Sequence, residues 1–377
     1  MIRRFMLVLT MITALMLSAC SIDGPAGSSP SGQPAPSSND GMTESETLEE
    51  EELFGIQLLR TETETPEGLG NSITNLRDLG MIAGDDRQLY TLEYWVQDSG
   101  EKKAGDQIYV SDASGKRCLT SEKSIRGYLN LTDNALYYVC DRGICKIDRE
   151  SERVQEVISV GDIGYMLVVG ERIYYVISDA LYSFDLNTGQ QKEIAPLVSR
   201  GYLDYAQGQV YFCTGFEIPP GVEAIDIKKE SSLCALKEDG SIETLYSFDM
   251  AERHVLKVMD ADTLLCASLK EKGVPGPDKY DLLMLNLKEN TEKVLISNLI
   301  PNIFALNGEQ LIVEVWETSA STHWLIDLKD GSARKLPDWG IGDLNFASDR
   351  LFLVNVATGK ISELFRKNDQ FFAEPLP

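Results

Sequence analysis

The chain has 377 residues, of which 35 are Lys or Arg and 59 are Asp or Glu, giving a formal net charge of −24. This acidic balance argues against a nucleic-acid partner and against electrostatic adhesion to anionic lipid, because both surfaces are themselves negative. The whole chain contains two histidines, which excludes a metal site built from several imidazoles.

The first twenty residues have the pattern of an export signal. Arg3 and Arg4 give a positive start, and the apolar run from Phe5 to Leu17 is shorter than the roughly 20 apolar residues that a spanning helix needs. The run closes with Leu17-Ser18-Ala19-Cys20, which resembles the lipobox of bacterial lipoproteins. The resemblance implies cleavage before Cys20 and attachment of a diacylglyceryl group, with acyl chains such as palmitate, to its sulfur. An ordinary signal peptide with a chance cysteine is the alternative.

The next segment reads as a tether. Residues 21–40 are rich in Ser, Pro and Gly, no Lys or Arg occurs between Cys20 and Phe54, and residues 49–52 are four consecutive glutamates. Such a composition cannot bury a hydrophobic core. We therefore predict a signal peptide over 1–19, a lipid-anchored disordered acidic linker over 20–53, and a folded domain over 54–377. The domain is expected on the extracytoplasmic face of a cell membrane, held to the bilayer through acylated Cys20.

A repeat organises the folded domain. Leu136-Tyr137-Tyr138-Val139 recurs as Ile173-Tyr174-Tyr175-Val176 and as Val210-Tyr211-Phe212, 37 residues apart each time. Weaker copies of the apolar pair begin at Leu89, Leu264, Leu311 and Leu351. The seven copies are spaced close to the roughly 40–50 residues of a four-stranded propeller blade.

Each unit divides into strands and turns. In the third unit, residues 166–169 are the expected innermost strand, 173–177 the second strand, and a third strand ends near Asp185. The sequence Asn187-Thr188-Gly189 then predicts a turn into the last strand. The best helical candidate in the domain is the short stretch 251–259.

An Ile-Tyr-Tyr strand followed by a Leu-Tyr-x-x-Asp strand and a glycine turn, as in residues 173–189, resembles bacterial propellers of the domain-of-unknown-function class. These are distantly similar to YWTD, TolB-type and pyrroloquinoline-type repeats. The resemblance covers about residues 80–377 and implies an all-β propeller, with seven four-stranded blades around a central channel. A pair of β-sandwiches or a β-solenoid is the alternative fold. Six or eight blades also remain open, because residues 54–64 have the composition of a further strand.

Six cysteines follow the lipid acceptor. They are Cys118, Cys140, Cys145, Cys213, Cys234 and Cys266. No two of them form a CxxC pair, so the spacing predicts neither a zinc site nor any other metal site, and no cofactor motif is present. Cys140 and Cys145 flank a predicted hairpin turn. A disulfide between them is one interpretation, and two small half-buried apolar residues are the other.

Four aspartates, Asp148, Asp185, Asp226 and Asp327, recur at the end of the third strand and are interpreted as turn formers rather than cation ligands. The repeated tyrosines are interpreted as packing between sheets. The candidate binding residues are Glu217 and Glu223, in an insertion around Pro219-Pro220, together with Trp316 and His323 in the sixth unit.

The sequence contains no arrangement of residues typical of catalysis. It lacks a Gly-x-Ser-x-Gly elbow, a phosphate-binding loop and a dinucleotide fingerprint. We therefore expect a non-catalytic binding or protein-interaction module at the cell envelope, with an envelope protein or a glycan as partner. The alternative is a propeller enzyme that cleaves glycans or peptides with carboxylates at the channel mouth.

Overall fold

The computed structural model describes residues 68–377 except 78, 94–105, 123, 216–229, 272–278, 300–301, 308–309, 318–319, 337–342, 348–349, 356–359, 368–369 and 377. These residues form a seven-bladed propeller of four-stranded antiparallel sheets, as the repeat predicts. In every blade the four strands follow one another along the chain, and each pairs with the next.

The first three blades are built as follows. Blade 1 contains β1 (Ile82–Gly84), β2 (Leu89–Glu93), β3 (Asp106–Asp112) and β4 (Gly115–Glu122). Blade 2 contains β5 (Ile125–Leu131), β6 (Ala135–Cys140), β7 (Gly143–Asp148) and β8 (Val154–Ser159). Blade 3 contains β9 (Ile163–Val169), β10 (Arg172–Ile177), β11 (Ala180–Asp185) and β12 (Gln191–Ala195).

The last four blades continue the same pattern. Blade 4 contains β13 (Val198–Ala206), β14 (Gln209–Thr214), β15 (Glu230–Leu236) and β16 (Ile242–Asp249). Blade 5 contains β17 (Arg253–Val258), β18 (Thr263–Glu271), β19 (Lys279–Asn286) and β20 (Thr291–Leu299). Blade 6 contains β21 (Asn302–Asn307), β22 (Gln310–Glu317), β23 (Ala320–Asp327) and β24 (Ala333–Lys335). Blade 7 contains β25 (Asp343–Ala347), β26 (Arg350–Val354), β27 (Ile361–Lys367) and β28 (Gln370–Pro375).

Each copy of the sequence repeat forms the second strand of a blade. The copies beginning at Leu89, Leu136, Ile173, Val210, Leu264, Leu311 and Leu351 fall in β2, β6, β10, β14, β18, β22 and β26. This strand is buried because it lies between the innermost and third strands of its own sheet and between the two neighbouring blades. Its aromatic residues pack in these interfaces, with Tyr138 and Tyr175 fully buried, which confirms the packing interpretation of the tyrosines.

The turn interpretation of the aspartates is also confirmed where the structure describes them. Asp148 Oδ1 accepts the Ser151 amide at 2.7 Å, Asp185 Oδ1 accepts the Thr188 amide at 2.9 Å, and Asp327 Oδ1 accepts the Lys329 amide at 2.9 Å. The fourth residue, Asp226, lies outside the described residues. It precedes β15 (Glu230–Leu236) in the sequence, so the expectation that it ends the third strand of blade 4 is wrong.

The best helical candidate, residues 251–259, does not form a helix. Residues Arg253–Val258 form β17, the innermost strand of blade 5, because pairing with β18 buries Val255 and Val258. Burial between neighbouring sheets here outweighs the weak local preference for helix. A short helix occurs instead at Ile73–Arg77 (α1), before the first blade. Among the described residues, no helix is long and apolar enough to cross a membrane.

Candidate functional site

The segment before the first blade crosses the central channel. Gly70 donates to the Val168 carbonyl at 2.9 Å, and the α1 residues pack against the innermost strands of several blades. Asn71 Nδ2 donates to the carbonyls of Ile82 in blade 1 and Leu129 in blade 2, at 2.7 and 2.6 Å. Residues 69–76 are buried, so the channel is occupied by the protein's own chain.

One backbone N–H recurs on the inner edge of the blades. It belongs to the residue opposite the first apolar residue of the repeat: Leu131, Val168, Tyr205, Val258 and Phe346 in blades 2, 3, 4, 5 and 7. The innermost strand has no further strand beside it, so this buried donor needs another acceptor.

Channel side chains and the crossing segment supply these acceptors. Asn130 Oδ1 accepts Val168 N at 3.0 Å, and Asp204 accepts both Tyr205 N and Val258 N at 2.7 Å. In blades 2 and 7 the acceptor comes from the crossing segment, because Gly70 O accepts Leu131 N and Asn75 Oδ1 accepts Phe346 N. Residues 68–80 are therefore an integral part of the ring.

A charged cluster lies where α1 meets blades 4 and 5. Asp204 is fully buried and receives Lys257 Nζ at 2.5 Å, while Arg77 Nη2 lies 3.9 Å away and the Arg77 guanidinium stacks 4.8 Å from the Tyr202 ring centroid. Burial raises the pKa of Tyr202 well above its usual range. Its hydroxyl therefore stays protonated and donates to Asp204 at 3.1 Å. With its oxygens taken by four donors, Asp204 stabilises the channel and is not available as a catalytic base.

A groove of about 490 Å³ lies between blades 3 and 4. Its floor is apolar and aromatic, including Tyr174 and Tyr205, each 8% exposed. Charges of both signs surround it. The basic residues are Arg172, Lys192 and Lys237, and the acidic residues are Asp185, Glu238 and Asp239.

The groove opens at one face of the propeller. This face carries two types of turn, which join the first strand of each blade to the second and the third strand to the fourth. Gly208 lies in the first type of turn and Gly240 in the second, and both line the groove. The Lys192 ammonium of blade 3 reaches the Gly240 turn of blade 4. Residues 94–105, 216–229 and 272–278 lie outside the described residues. The strand ends that flank them belong to second and third strands, and these strand ends lie at the opposite face of the propeller.

Two carboxylates of the groove, Asp185 and Asp239, are held in their ionised form by hydrogen bonds. The Thr188 amide and hydroxyl lower the pKa of Asp185, and the Ser241 hydroxyl and amide lower the pKa of Asp239. Charge-assisted hydrogen bonds of this kind favour the carboxylate over the acid. The groove can therefore present fixed charges to a ligand, whereas a general acid needs a carboxyl group with a raised pKa.

The candidate residues from the sequence are not brought together in the described part of the chain. Cys20, Glu217 and Glu223 lie outside the described residues. The backbone of Trp316 belongs to β22, and that of His323 lies in β23 opposite Glu314. The imidazole of His323 is 1% exposed, so it contributes no accessible binding surface.

The two cysteines of the β6–β7 hairpin are close neighbours. The thiol sulfurs of Cys140 and Cys145 lie 3.5 Å apart and both are buried as free thiols. Cys140 pairs with Gly143 and Cys145 with Tyr138, so the two cysteines are diagonal neighbours on one face. Cys213 and Cys234, also buried and free, face different partners, Leu233 and Phe212.

Sequence reasoning missed the groove, α1 and the Arg77–Asp204 cluster. One signal was available: Asn130, Leu167 and Asp204 follow the same 37-residue step as the strand repeat. They occupy one recurring position, which is apolar in blade 3 (Leu167) and polar in blades 2 and 4 (Asn130 and Asp204). The groove had no comparable signal, because its charged residues lie in turns whose composition is common to all blades.

No protein-family model matches the sequence, and a search of curated proteins finds no match. Among solved structures, the chain is similar to the β-propeller domain of the Trilobed protease from Pyrococcus furiosus, described as having an open velcro topology. The two share 10% identity with a TM-score of 0.53, over 78% of this chain and 95% of that one. This likeness supports the propeller fold.

Two further structures share weaker likeness. An oligogalacturonate lyase in complex with manganese matches at 16% identity and a TM-score of 0.47, over 80% of this chain and 87% of the other. TolB from Acinetobacter baumannii matches at 14% identity and a TM-score of 0.40, over 69% and 66%.

Proposed function

We propose that this chain is a lipoprotein anchored through acylated Cys20, and that its propeller is a non-catalytic protein-interaction module. The observation that carries the binding role is the groove between blades 3 and 4, whose buried tyrosines are rimmed by charges of both signs. A channel filled by residues 69–76 further supports this role, because a ligand cannot reach the interior of the ring without displacing them.

The partner class follows from the chemistry of the groove. An extended peptide segment offers apolar side chains for the tyrosine-lined floor and charged side chains for Arg172, Lys237 and Glu238 at the rim. A neutral glycan would bring hydroxyl groups but no charge to match the rim, and an acidic glycan would match the basic residues of the rim but not the acidic ones. We therefore propose a surface segment of an envelope protein with mixed charge as the occupant.

The enzyme alternative is less well supported. It requires paired carboxylates in a concave pocket, one of them with a raised pKa. Burial raises the pKa of Asp106, but this carboxylate accepts the Ile125 amide at 3.0 Å and does not line the groove. Asp185 and Asp239 of the groove have lowered pKa values, which suits binding rather than proton transfer.

The binding proposal is tested with charge-reversal variants. The double variant Arg172→Glu/Lys237→Glu changes two residues of the rim, and Lys329→Glu changes an exposed lysine in the corresponding turn of blade 6. A partner cross-linked to the wild-type protein in host cells is purified, and its Kd is measured for all three proteins. We expect binding about 10-fold weaker, or about 1.4 kcal/mol, for the double variant and unchanged for Lys329→Glu. Equal affinities for all three would place the binding surface elsewhere.

The anchoring proposal has a separate test. The full chain and Cys20→Ser are expressed in a bacterial host, and the mature N-terminal peptide is analysed by mass spectrometry. We expect the wild-type peptide to begin at Cys20 with a diacylglyceryl mass and to fractionate with membranes, and Cys20→Ser to lose both properties. A wild-type mature chain that begins at another residue without lipid would contradict the proposal.

A further inference from the structure

Three potential metal ligands meet beside the β6–β7 hairpin. One ligand atom from each of Glu122, Cys140 and Cys145 lies within 4.8 Å of the other two. Glu122 is the last residue of β4 in blade 1, whereas the cysteines belong to blade 2. The cluster therefore joins two blades, and its members come from positions that a search for CxxC spacing does not connect.

We propose that Glu122, Cys140 and Cys145 form a binding site for a thiophilic divalent cation of the Zn²⁺ class. Thiolate sulfur selects such ions over Mg²⁺ or Ca²⁺. Three protein ligands leave a fourth position of a tetrahedral ion for water.

The sulfur positions suit a bridging ion. Two thiolates bound to one tetrahedral ion at about 2.3 Å lie about 3.8 Å apart, and the Cys140 and Cys145 sulfurs are 3.5 Å apart. A disulfide would instead require a separation of about 2.0 Å. The cysteines are diagonal neighbours in the hairpin, and the Cβ atoms of a diagonal pair lie farther apart than those of a directly opposed pair. A bridging ion spans this separation with little movement of the backbone.

The surroundings of Glu122 resemble the outer shell of a metal site. Tyr138 OH donates to Glu122 Oε1 at 2.5 Å, and Arg142 Nη2 donates to the same oxygen at 2.9 Å. Metal-bound carboxylates are commonly oriented by such hydrogen bonds. The Glu122 side chain is 16% exposed, and one of its carboxylate oxygens lies within 4.8 Å of both sulfurs.

The charges of the cluster also favour a dication. Two thiolates and one carboxylate carry three negative charges in a largely buried place, and Arg142 supplies one positive charge. One divalent ion balances the remainder.

The test uses Cd²⁺ as a spectroscopic probe and Zn²⁺ as a competitor. The mature chain is reduced, freed of reductant under anaerobic conditions, and titrated with Cd²⁺ while the ultraviolet thiolate-to-metal charge-transfer absorbance is recorded. We expect one equivalent of Cd²⁺ to bind and Zn²⁺ to displace it. Cys140→Ser and Cys145→Ser are expected to bind at least 100-fold more weakly, and Glu122→Gln about 10-fold more weakly.

Matched controls separate this site from other thiols. Cys118→Ser removes an exposed thiol in the neighbouring blade, and Cys213→Ser removes a buried thiol in blade 4. Both are expected to bind Cd²⁺ like the wild type. Thermal unfolding of each metal-free variant checks that the variant is folded. If Cys145→Ser does not fold, the test rests on Cys140→Ser, because Cys140 is the last residue of its strand. Absence of stoichiometric Cd²⁺ binding by the reduced wild-type chain would overturn the proposal, as would binding by Cys140→Ser and Cys145→Ser that is as tight as that of the wild type.

Discussion

Asn75 and Phe346, 271 positions apart, are joined by two hydrogen bonds. Asn75 Nδ2 donates to the Phe346 carbonyl at 2.5 Å, and the Phe346 amide donates to Asn75 Oδ1 at 2.8 Å. All four described strands of blade 7 come from the C-terminal part of the chain, so among the described residues no strand is exchanged between the first and last blades. In this part of the chain, the crossing segment and the apolar cluster that contains Ile82 of blade 1 and Phe352 of blade 7 hold the ring closed.

Replacement of this side chain tests the closing role. Asn75→Ala leaves the buried amide and carbonyl of Phe346 without their partner, and we expect a loss of about 2–3 kcal/mol in the free energy of unfolding. Urea denaturation measures the change. Asn187→Ala, in an exposed turn of blade 3, is the matched control and should change stability by less than about 0.5 kcal/mol. Equal effects of the two variants would show that Asn75 does not close the ring.

The Asp204–Lys257 pair gives a second prediction. Asp204→Ala removes the acceptor for Lys257 and for two backbone amides, and we expect a destabilisation of about 3–5 kcal/mol because a largely buried ammonium is left unpaired. Adding Lys257→Met to Asp204→Ala should recover part of this loss. A double-mutant cycle from chemical denaturation measures the coupling. Strict additivity of the two single changes would contradict the pairing.

Backbone conformation at two glycines gives a third prediction. Gly143 has a φ of +130°, and a Cβ there would lie 2.0 Å from the Ile158 carbonyl oxygen, whereas Gly170 has a φ of +53° with open space around it. Gly170→Ala should cost about 1 kcal/mol, the strain of a left-handed residue. Gly143→Ala should cost about 3–5 kcal/mol, since the backbone of β8 must also move. Similar urea midpoints for the two variants would show that the backbone around Gly143 and Ile158 moves to accept the added Cβ at little cost.

The turn aspartates predict the pH dependence of stability. The Thr188 amide and hydroxyl lower the pKa of Asp185 below its value in the unfolded chain. A lowered pKa in the folded state stabilises the protein above about pH 3.9. That stabilisation is lost as the pH falls through the folded-state pKa.

We therefore expect the Tm difference between the wild type and Asp185→Asn to be largest at neutral pH and to shrink below about pH 4. Thermal unfolding followed by circular dichroism between neutral and acidic pH measures it. Glu238→Gln, which changes an exposed carboxylate of the groove rim, is the control. If the Tm difference between the wild type and Asp185→Asn stays constant with pH, the lowered pKa of Asp185 in the folded state is contradicted.

The sequence by itself predicted the propeller and favoured seven blades, with six or eight left open. The signals are local: a second strand that begins with an apolar residue such as Ile173 recurs in all seven units, and an aspartate turn such as the one at Asp185 recurs in several of them. Because each blade is made of consecutive strands, short-range patterns are enough to count the blades and to place their strands.

Only the tertiary structure decided how the ring is closed and where the sites lie. The Asn75–Phe346, Arg77–Asp204 and Glu122–Cys145 relationships, like the groove between blades 3 and 4, join residues of different elements. None of them repeats along the chain, so no periodic pattern reveals them. They arise because the inner strand edges need hydrogen-bond acceptors and because neighbouring blades bring distant side chains together, and both conditions exist only once the ring has formed.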